Sequence, residues 1–287
     1  MPEFDASKRF TIENAGARGE VVRLRDSYQA VSRHIDYPIP LKTLLGEALC
    51  AAVLLSATIK FEGKLSLQLQ GEGNVRLLLV QATHDRQLRG LIKWQGNVDK
   101  NSFRELIGKA QLAITIEPDK GERYQGIVPL EGENLAGCLE HYFLQSEQLP
   151  TEIRLTADEE TAAGFLLQKL PGHENEEKPE DWEHFSVFAK SITNPELLEL
   201  EFETLLYRLF HSEKVRVYDS KQVEFNCVCS KEKCESAVVS LGKQEVEKMI
   251  DQAKPLNMNC EFCGANYEIT LDEIKKLLSQ INESSAS

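Results

Sequence analysis

Five of the seven cysteines in this 287-residue chain lie between Cys227 and Cys263. An odd number of cysteines in one tight cluster is unlike a secreted disulfide scaffold, which is short and rich in cysteine throughout. Two close pairs of thiols match the tetrahedral, soft-ligand preference of Zn²⁺. The spacing therefore predicts one zinc ion per chain, and the alternative is four unligated thiols in a small core. The predicted ligands form a CxC pair and a CxxC pair: Cys227, Cys229, Cys260 and Cys263.

The region that carries these cysteines, residues 225–287, has few large apolar side chains for its length. Ser230 is placed to cap a helix, and Thr270 with Glu273 forms a capping box before another. Gly264 follows the CxxC pair at a point where a turn requires a positive φ. About sixty residues of this composition do not build an adequate core. Structural zinc contributes on the order of 10–16 kcal/mol in small modules, so we expect zinc to hold this region together.

The other three cysteines are predicted to be core residues rather than ligands. Cys234 shares a helical stripe with Val238 and Leu241, four and seven positions further on. Cys50 and Cys138 also lie on apolar helix faces. Buried thiols in such positions behave as small apolar groups.

The spacing of the two ligand pairs also permits redox chemistry. A CxC pair can close into a small, strained disulfide ring, and strained disulfides are typical of labile regulatory bonds. Zinc keeps its sulfur ligands deprotonated, so an oxidant meets preformed thiolates. Closure of either pair removes two zinc ligands. The pattern therefore allows a switch in which oxidation unfolds the cysteine-rich region.

Residues 1–175 are predicted to form an α+β core domain, with a mixed sheet-and-helix architecture. The leucines of KLSLQLQ alternate with polar residues, which is the period of a half-buried strand. Helices are predicted over Leu41–Ile59 and Asn134–Glu147. Further strands are predicted over Val75–Ala82, Leu88–Trp94, Leu112–Glu117, Tyr124–Leu130, Ile153–Thr156 and Phe165–Leu170.

A helical linker is predicted over 176–224, followed by the C-terminal zinc domain over 225–287. The acidic, unpatterned stretch 172–184 indicates a loop or hinge. Two amphipathic helices are predicted over 180–212, the second beginning at Asn194-Pro195-Glu196. Their wide apolar face is either ordinary packing against the first domain or a masked interaction surface. That face comprises Trp182, Phe185, Leu198, Phe202 and Leu209.

Charge and hydropathy exclude several classes of partner. Lys plus Arg is 33 and Asp plus Glu is 46, which gives a net charge of −13. This balance argues against nucleic acid and anionic lipid as partners, since both attract basic surfaces. The longest apolar run, Ala48–Ile59, is too short for a membrane span of about 20 residues. The first ten residues lack the apolar core of a signal peptide, so we expect a cytoplasmic protein.

No catalytic constellation stands out in the sequence. It contains no GxGxxG, phosphate-binding P-loop, GxSxG or HExxH motif, and the six histidines show no ligand spacing. We therefore expect a protein that is not an enzyme.

The cysteine-containing runs VYDSKQVEFNCVCSKEKC (217–234) and MNCEFCGANY (258–267) resemble the thirty-three-kilodalton heat-shock protein family of bacteria. SRHIDYPIPLKTLLGEALCAAVLLSATIKFEGKLSLQLQGEG (32–73), LEHYFLQSEQLPT (139–151) and ELLELEFETLLYRLFHSEKVRVYD (196–219) extend the resemblance along the chain. The resemblance implies an ATP-independent holdase chaperone that binds unfolding proteins under oxidative stress. It implies an inactive form that is reduced and zinc-bound, and activation by Cys227–Cys229 and Cys260–Cys263 disulfides with release of zinc. It also implies a homodimer when oxidised.

Two other functions remain open from the residues alone. A thiol-disulfide oxidoreductase needs a nucleophilic cysteine on a thioredoxin-like βαβ unit, and the sequence predicts no such unit before either pair. A zinc-ribbon nucleic-acid binder needs clustered Lys and Arg, and the loop Gly264–Tyr267 after the second pair has none.

Overall fold

The computed structural model describes residues 3–13, 16–59, 62–98, 102–171, 179–252 and 254–284. The chain divides into two compact units, Met1–Asn226 and Cys227–Ser287. Both contain strands and helices, which confirms the predicted α+β class. The described part of the predicted linker belongs to the first unit, because its apolar side chains pack into that unit's core.

The first unit carries twelve strands and seven helices among the described residues. Its strands are β1 Ala6–Ile12, β2 Ala17–Leu24, β3 Gly63–Gly71, β4 Val75–Thr83, β5 Gln87–Trp94, β6 Ala110–Pro118, β7 Tyr124–Val128, β8 Thr151–Ala157, β9 Ala162–Lys169, β10 Val215–Val217, β11 Lys221–Gln222 and β12 Glu224–Phe225. Its helices are α1 Asp26–Ser32, α2 Ile39–Thr58, α3 Phe103–Ile107, α4 Leu135–Gln145, α5 Pro179–Ser191, α6 Asn194–Glu199 and α7 Phe202–Phe210.

Two six-stranded sheets form the framework of this unit. The first sheet has the order β10-β1-β2-β9-β8, and β11 also pairs with β1. The second sheet has the order β12-β5-β4-β3-β6-β7. Neighbouring strands are antiparallel throughout, except for the short β12, which runs parallel to β5. The two sheets are joined through the long helix α2, which contacts strands of both.

Helix α2 is the centre of the main hydrophobic core. Thirteen of its residues are buried, including Leu45, Leu49 and Leu54. By length and composition alone this helix is apolar enough to cross a membrane, so the expectation based on the twelve-residue run was wrong for this segment. However, 72% of its most apolar 18-residue window is buried inside the structure, so its apolar composition is explained by its place in the core.

The strands and helices predicted for residues 41–170 are confirmed, with ends that differ by a few residues. Asn134 caps α4 by accepting a hydrogen bond from the backbone of Gly137. Strands β1 and β2 were not predicted. In each strand a charged side chain occupies a buried position, Lys8 in β1 and Arg23 in β2, and this interrupts the apolar pattern that would indicate a strand.

Helices α5, α6 and α7 cover the face of the first sheet that points away from α2. Their apolar side chains and those of the sheet form a second hydrophobic core. Its largest fully buried members include Phe10 and Phe165 from the sheet and Phe202 and Phe210 from α7. The apolar face predicted for the linker is therefore buried in this unit: Phe185, Phe202 and Leu209 are buried, and Trp182 and Leu198 are partly buried against the same cluster.

Three helices replace the two that were predicted over 180–212. The chain leaves helical geometry at Leu200 and re-enters it at Phe202. Thr193, not Asn194, is the N-cap of α6, and it forms a capping box with Glu196. With the chain arranged in this way, the Leu197 side chain is buried in the second hydrophobic core, whereas Leu198 is only partly buried. Residues 172–178 of the predicted acidic hinge lie outside the described residues, and 179–184 belong to α5.

A buried arginine accounts for the break between α6 and α7. The Arg23 guanidinium, fully buried beneath these helices, donates to the carbonyl oxygens of Leu197 (2.8 Å) and Leu200. It also lies 5.0 Å from the centre of the Phe202 ring. The C-terminal carbonyls of α6 are thus satisfied by a side chain of the sheet, so Arg23 holds the helix end in place.

The second unit is small and depends on a small core. Its elements are α8 Lys231–Ser240, α9 Lys243–Asp251, β13 Leu256–Asn259, β14 Asn266–Ile269 and α10 Leu271–Ser284. Strands β13 and β14 form an antiparallel hairpin. Five apolar residues are buried in its cluster: Val238, Val246, Ile269, Ile274 and Leu277. Leu241, predicted on the inner stripe of α8, is 53% exposed because the helix ends there.

We predict that Gly19→Ala destabilises the first unit by about 1–3 kcal/mol. A Cβ at this position of β2 would lie 2.1 Å from the Phe10 ring and 2.6 Å from the Leu166 carbonyl oxygen. Denaturant unfolding followed by circular dichroism measures the effect. Gly137→Ala in α4 is the control, since its Cβ would meet its nearest neighbour at 3.4 Å. Equal stability of the two variants would contradict the proposed crowding.

Candidate metal centre

Cys260 and Cys263 lie in the tight turn that joins β13 to β14. The Cys260 carbonyl accepts hydrogen bonds from the backbone N–H groups of Cys263 (3.4 Å) and Gly264 (2.7 Å), and the Cys260 N–H donates to Ala265 (2.8 Å). Gly264 has φ = +74°, which confirms the predicted positive φ after the pair. The closed turn directs both sulfurs to one side of the hairpin.

Cys227 and Cys229 lie in the extended segment that leads into α8. Ser230, directly after Cys229, caps that helix by accepting a hydrogen bond from the backbone N–H of Lys233, as predicted. The Lys233 ammonium group donates back to the Val228 carbonyl oxygen, between the two cysteines. This local bonding fixes the CxC segment against the first turn of α8.

A salt bridge joins the start of α8 to the start of α10. Lys231 Nζ lies 2.6 Å from Glu273 Oε1, while the other Glu273 oxygen accepts the backbone N–H of Thr270 at 2.8 Å. The Lys231 ammonium and these capping hydrogen bonds lower the pKa of Glu273 to about 2. The predicted capping box at Thr270 is therefore present and is tied to the helix that follows the CxC pair.

The four sulfur atoms come together in one group. Cys227 Sγ lies 3.6 Å from Cys260 Sγ, and Cys229 Sγ lies 3.4 Å from Cys263 Sγ. All four atoms lie within 4.8 Å of one another, and each cysteine is partly exposed. Tetrahedral zinc with Zn–S bonds near 2.3 Å separates its sulfurs by about 3.8 Å. The group therefore has the donor set and size for one metal ion.

The Tyr267 hydroxyl, which the sequence did not single out, contacts this group. It lies 3.1 Å from Cys229 Sγ. Burial opposes ionisation of Cys229, but hydrogen bonds from Tyr267 and the neighbouring thiols outweigh it and lower its pKa to about 7. Burial raises the pKa of Cys227, and burial with the neighbouring thiols raises that of Cys263 to about 12. A metal cation would supply the positive charge that full deprotonation of the group requires.

The remaining cysteines lie apart from the sulfur group. Cys234 packs against the apolar cluster of the second unit, and Cys50 and Cys138 are buried in the first unit. The five residues of the predicted linker face also lie in the first unit. Proximity in sequence was the signal that located the four sulfurs, whereas a tyrosine in the strand after the turn carries no such signal.

Comparison with known proteins identifies the family. The family model described as Hsp33 protein matches residues 5–270 of this chain. The chain belongs to the Hsp33 family. Its predicted resemblance to the thirty-three-kilodalton heat-shock proteins is thereby confirmed.

Curated relatives match nearly the whole of this chain. The 33 kDa chaperonin of Aeromonas salmonicida is 42% identical over 100% of this chain and 99% of its own. That of Shewanella denitrificans is 45% identical over 96% and 95% of the two chains. A crystal structure of the 33 kDa chaperonin of Thermotoga maritima, 22% identical, has a TM-score of 0.85 and covers 97% of this chain and 99% of its own. At that identity the likeness establishes the fold.

We predict that the reduced protein binds one divalent metal ion per chain through the four-sulfur group. Cys260→Ser removes one of the four ligands, so its affinity should fall by at least about 100-fold. Cys234→Ser is the matched control and should leave the stoichiometry and affinity unchanged, because its sulfur packs elsewhere in the same unit. Titration with Co²⁺, followed by its thiolate absorption, measures both. Full affinity after Cys260→Ser would contradict the ligand set.

Proposed function

We propose that this member of the Hsp33 family is a redox-regulated, ATP-independent chaperone that holds unfolding proteins. The four-sulfur group carries the proposal, because it combines a metal site with thiols that an oxidant can reach. Membership of a family whose curated relatives are named chaperonins supports the chaperone role. In this proposal the protein binds its clients rather than acting as an enzyme.

The resting form in the proposal is reduced and carries zinc on Cys227, Cys229, Cys260 and Cys263. Four thiolates are the ligand set that Zn²⁺ occupies in structural sites, and a reducing cytoplasm keeps them available. Five buried apolar residues give the second unit little stability of its own. The metal is therefore the main source of its folding free energy.

Oxidation in this proposal forms the Cys227–Cys229 and Cys260–Cys263 disulfides. Formation of each disulfide transfers two electrons from a pair of thiolates to the oxidant. When the oxidant is hydrogen peroxide, it takes up two protons and is reduced to two water molecules. The zinc ion thereby loses all four ligands. The folded geometry alone does not select this pairing, because Cys227 and Cys260 are also only 3.6 Å apart. The pairing of sequence neighbours in this proposal is the one that the family resemblance implies.

The surface that becomes available to clients is the interface between α5–α7 and the first sheet. Undocking these helices would expose aromatic side chains on both sides of the interface, including Phe10 and Phe165 of the sheet and Phe202 and Phe210 of α7. Contiguous apolar surface of this kind is typical of sites that bind other proteins. Unfolded or misfolded proteins, which expose apolar segments, are the partners that fit it.

The chain between α7 and the sulfur group connects the two events. Strands β10, β11 and β12 are two or three residues long, are largely exposed, and pair with β1 and β5. Val223 between them is buried in the main core. Loss of the folded second unit frees the chain directly after Asn226, so the short strands lose the constraint at their C-terminal end. Such short, exposed pairings have low local stability.

The hydrogen bonds of Arg23 position the end of α6, but the burial of its charge reduces the net stability of the docked helices. Burial lowers the pKa of this guanidinium to about 10, and its Nη1 nitrogen has no hydrogen-bond partner among the described residues. A buried cation that is held only by carbonyl groups and aromatic rings carries a desolvation cost that undocking relieves. A shift from about 1% to 99% undocked requires roughly 5.5 kcal/mol, which lies within what structural zinc supplies.

The proposal also includes a homodimer in the oxidised form and a cytoplasmic location. Exposed apolar interface on two chains favours their association. Neither nucleic acid nor a membrane is a partner, in keeping with the net charge of −13.

We predict that peroxide releases one zinc per chain and that suppression of client aggregation rises in parallel. Metal release is followed with a chromogenic chelator, client aggregation by light scattering, and disulfide pairing by peptide mapping. In Cys260→Ser, suppression of client aggregation should no longer follow peroxide-driven zinc release. Cys234→Ser should behave as the unmodified protein. Chaperone activity that rises with zinc still bound would contradict the switch, as would catalytic turnover in insulin reduction.

We predict that Phe202→Lys gives chaperone activity without an oxidant. The Phe202 ring is 2% exposed and lies beneath two cations, Arg23 and Lys8. A lysine at this position would be repelled by Arg23 and Lys8 and would also lose its hydration on burial, so both effects oppose docking. A glutamate could instead pair with Arg23 and retain docking. Tyr207→Lys on the same helix is the control, because that side chain is 71% exposed. A folded Phe202→Lys protein with undocked helices that does not bind clients would rule out this interface as the mask.

A further inference from the structure

A row of polar side chains crosses the α2-facing side of the first sheet near the C-terminal end of α2. The register places Lys221 opposite Ser7, Arg9 opposite Glu20, and Arg18 opposite both Thr11 and Gln168. Because residues that oppose one another, and those two apart on a strand, share a face, these side chains lie together. A strongly acidic protein thus gathers three basic groups on one short stretch of sheet.

Arg86 adds a fourth cation from the second sheet. It lies in the turn between β4 and β5 with φ = +66°, a conformation that is uncommon for a residue with a Cβ. Its side chain is buried, donates from Nε to Ser7 Oγ (3.2 Å), and lies 3.7 Å from Glu20 Oε1. This backbone conformation therefore places the Arg86 guanidinium beside the same row of polar side chains.

These groups line a cleft of about 860 Å³. Its cations are Arg9, Arg18, Arg86, Lys120 and Lys221, and its acidic neighbours are Glu62 and Asp119 on the lining and Glu20 beside Arg86. The last turn of α2 also lines the cleft and carries no basic residue. A helix C-terminus presents about half a negative charge, which a single cation balances. The cleft therefore retains an excess of positive charge.

Arg18 is held rigidly at one side of this cleft. Its Nη2 and Nε donate to Gln168 Oε1 at 2.6 and 3.2 Å, and the buried Gln168 amide in turn donates to Thr151 Oγ1 at 3.0 Å. Burial lowers the pKa of Arg18, and the like charge of Arg9 lowers it further. An anion that reaches Arg18 would relieve both effects and meets a guanidinium that is already oriented.

A second, apolar cavity of about 180 Å³ adjoins the cleft. Arg18, Thr58 and Ile59 line both cavities. The walls of the apolar cavity include Leu55, Ile114, Ile116, Phe143 and Leu149. A cavity of 150 Å³ with such walls accepts a benzene ring, so this one has room for about six carbon atoms.

One wall of the apolar cavity, which Glu147 lines, bears on the direction in which a ligand would enter. Glu147 Oε1 accepts hydrogen bonds from Tyr142 (2.7 Å) and Tyr124 (3.1 Å). A carboxylate at this wall disfavours a second anion there, so the charged end of a ligand belongs beside Arg18.

We propose that these joined cavities form a binding site for a small aliphatic carboxylate. Its carboxylate group pairs with Arg18 and Arg9 in the basic cleft, and its chain of about six carbons enters the apolar cavity. The site lies wholly within the first unit and is separate from the sulfur group and from the face that α5–α7 cover.

Isothermal titration of the reduced, full-length protein with hexanoate tests the proposal. We expect one hexanoate per chain, bound at least tenfold more tightly than hexanol, which lacks the charge, and than inorganic phosphate, which lacks the chain. Arg18→Gln should weaken hexanoate at least tenfold, and Arg76→Gln on the exposed side of β4 should leave it unchanged.

Two further variants separate a lost site from a damaged fold. Arg9→Gln alters an exposed side chain and should weaken hexanoate at least threefold, while Ile116→Phe fills the apolar cavity and should weaken hexanoate but not phosphate. Hexanoate that binds no better than hexanol would overturn the proposal. So would equal affinity for phosphate, or binding that survives both arginine substitutions. None of these readouts depends on chaperone activity.

Discussion

The convergence of four cysteine sulfurs is the interaction on which the second unit depends. Among the residues that the structure describes, its apolar cluster has five buried members, whereas the first unit has two extensive cores. The CxC segment precedes α8, the CxxC pair closes a hairpin, and the Lys231–Glu273 salt bridge joins the helices that follow each. A metal on these sulfurs would tie together both ends of a loop of about thirty residues. We propose that, without the metal, the small apolar cluster and this salt bridge do not keep the unit folded.

The first unit uses the two faces of one sheet for different purposes. One face packs on α2 in the permanent core of the domain. The other is covered by α5, α6 and α7, which are short helices held by apolar contacts and by the carbonyl hydrogen bonds of Arg23. A cover made of separate short helices, with a desolvated cation beneath it, is easier to remove than a continuous element. We infer that the protein stores its client-binding surface in this form.

The sequence was sufficient where one local signal determines the structure. Cysteine spacing located the sulfur group, the alternation of Leu65, Leu67 and Leu69 located β3, and Asn134 located the start of α4. It was insufficient where the determining contact is distant. Arg23, far away in sequence, interrupts the predicted second linker helix. Buried Lys8 and Arg23 interrupt the apolar pattern of β1 and β2. Tyr267 reaches Cys229 only once the hairpin has formed. Pairing of β10–β12 with remote strands likewise has no signature in such short segments.

The central claim is that the metal holds the second unit and, through it, the docked helices. Amide hydrogen exchange of the reduced protein, before and after zinc is removed by a chelator without oxidant, tests it most directly. The account predicts that protection is lost first over 227–284, next over α5–α7 and β10–β12, and not over α2 and the central strands β3 and β4. Unchanged protection of α5–α7 while 227–284 exchanges freely would contradict the coupling, and uniform loss of protection along the whole chain would contradict the independence of the first core.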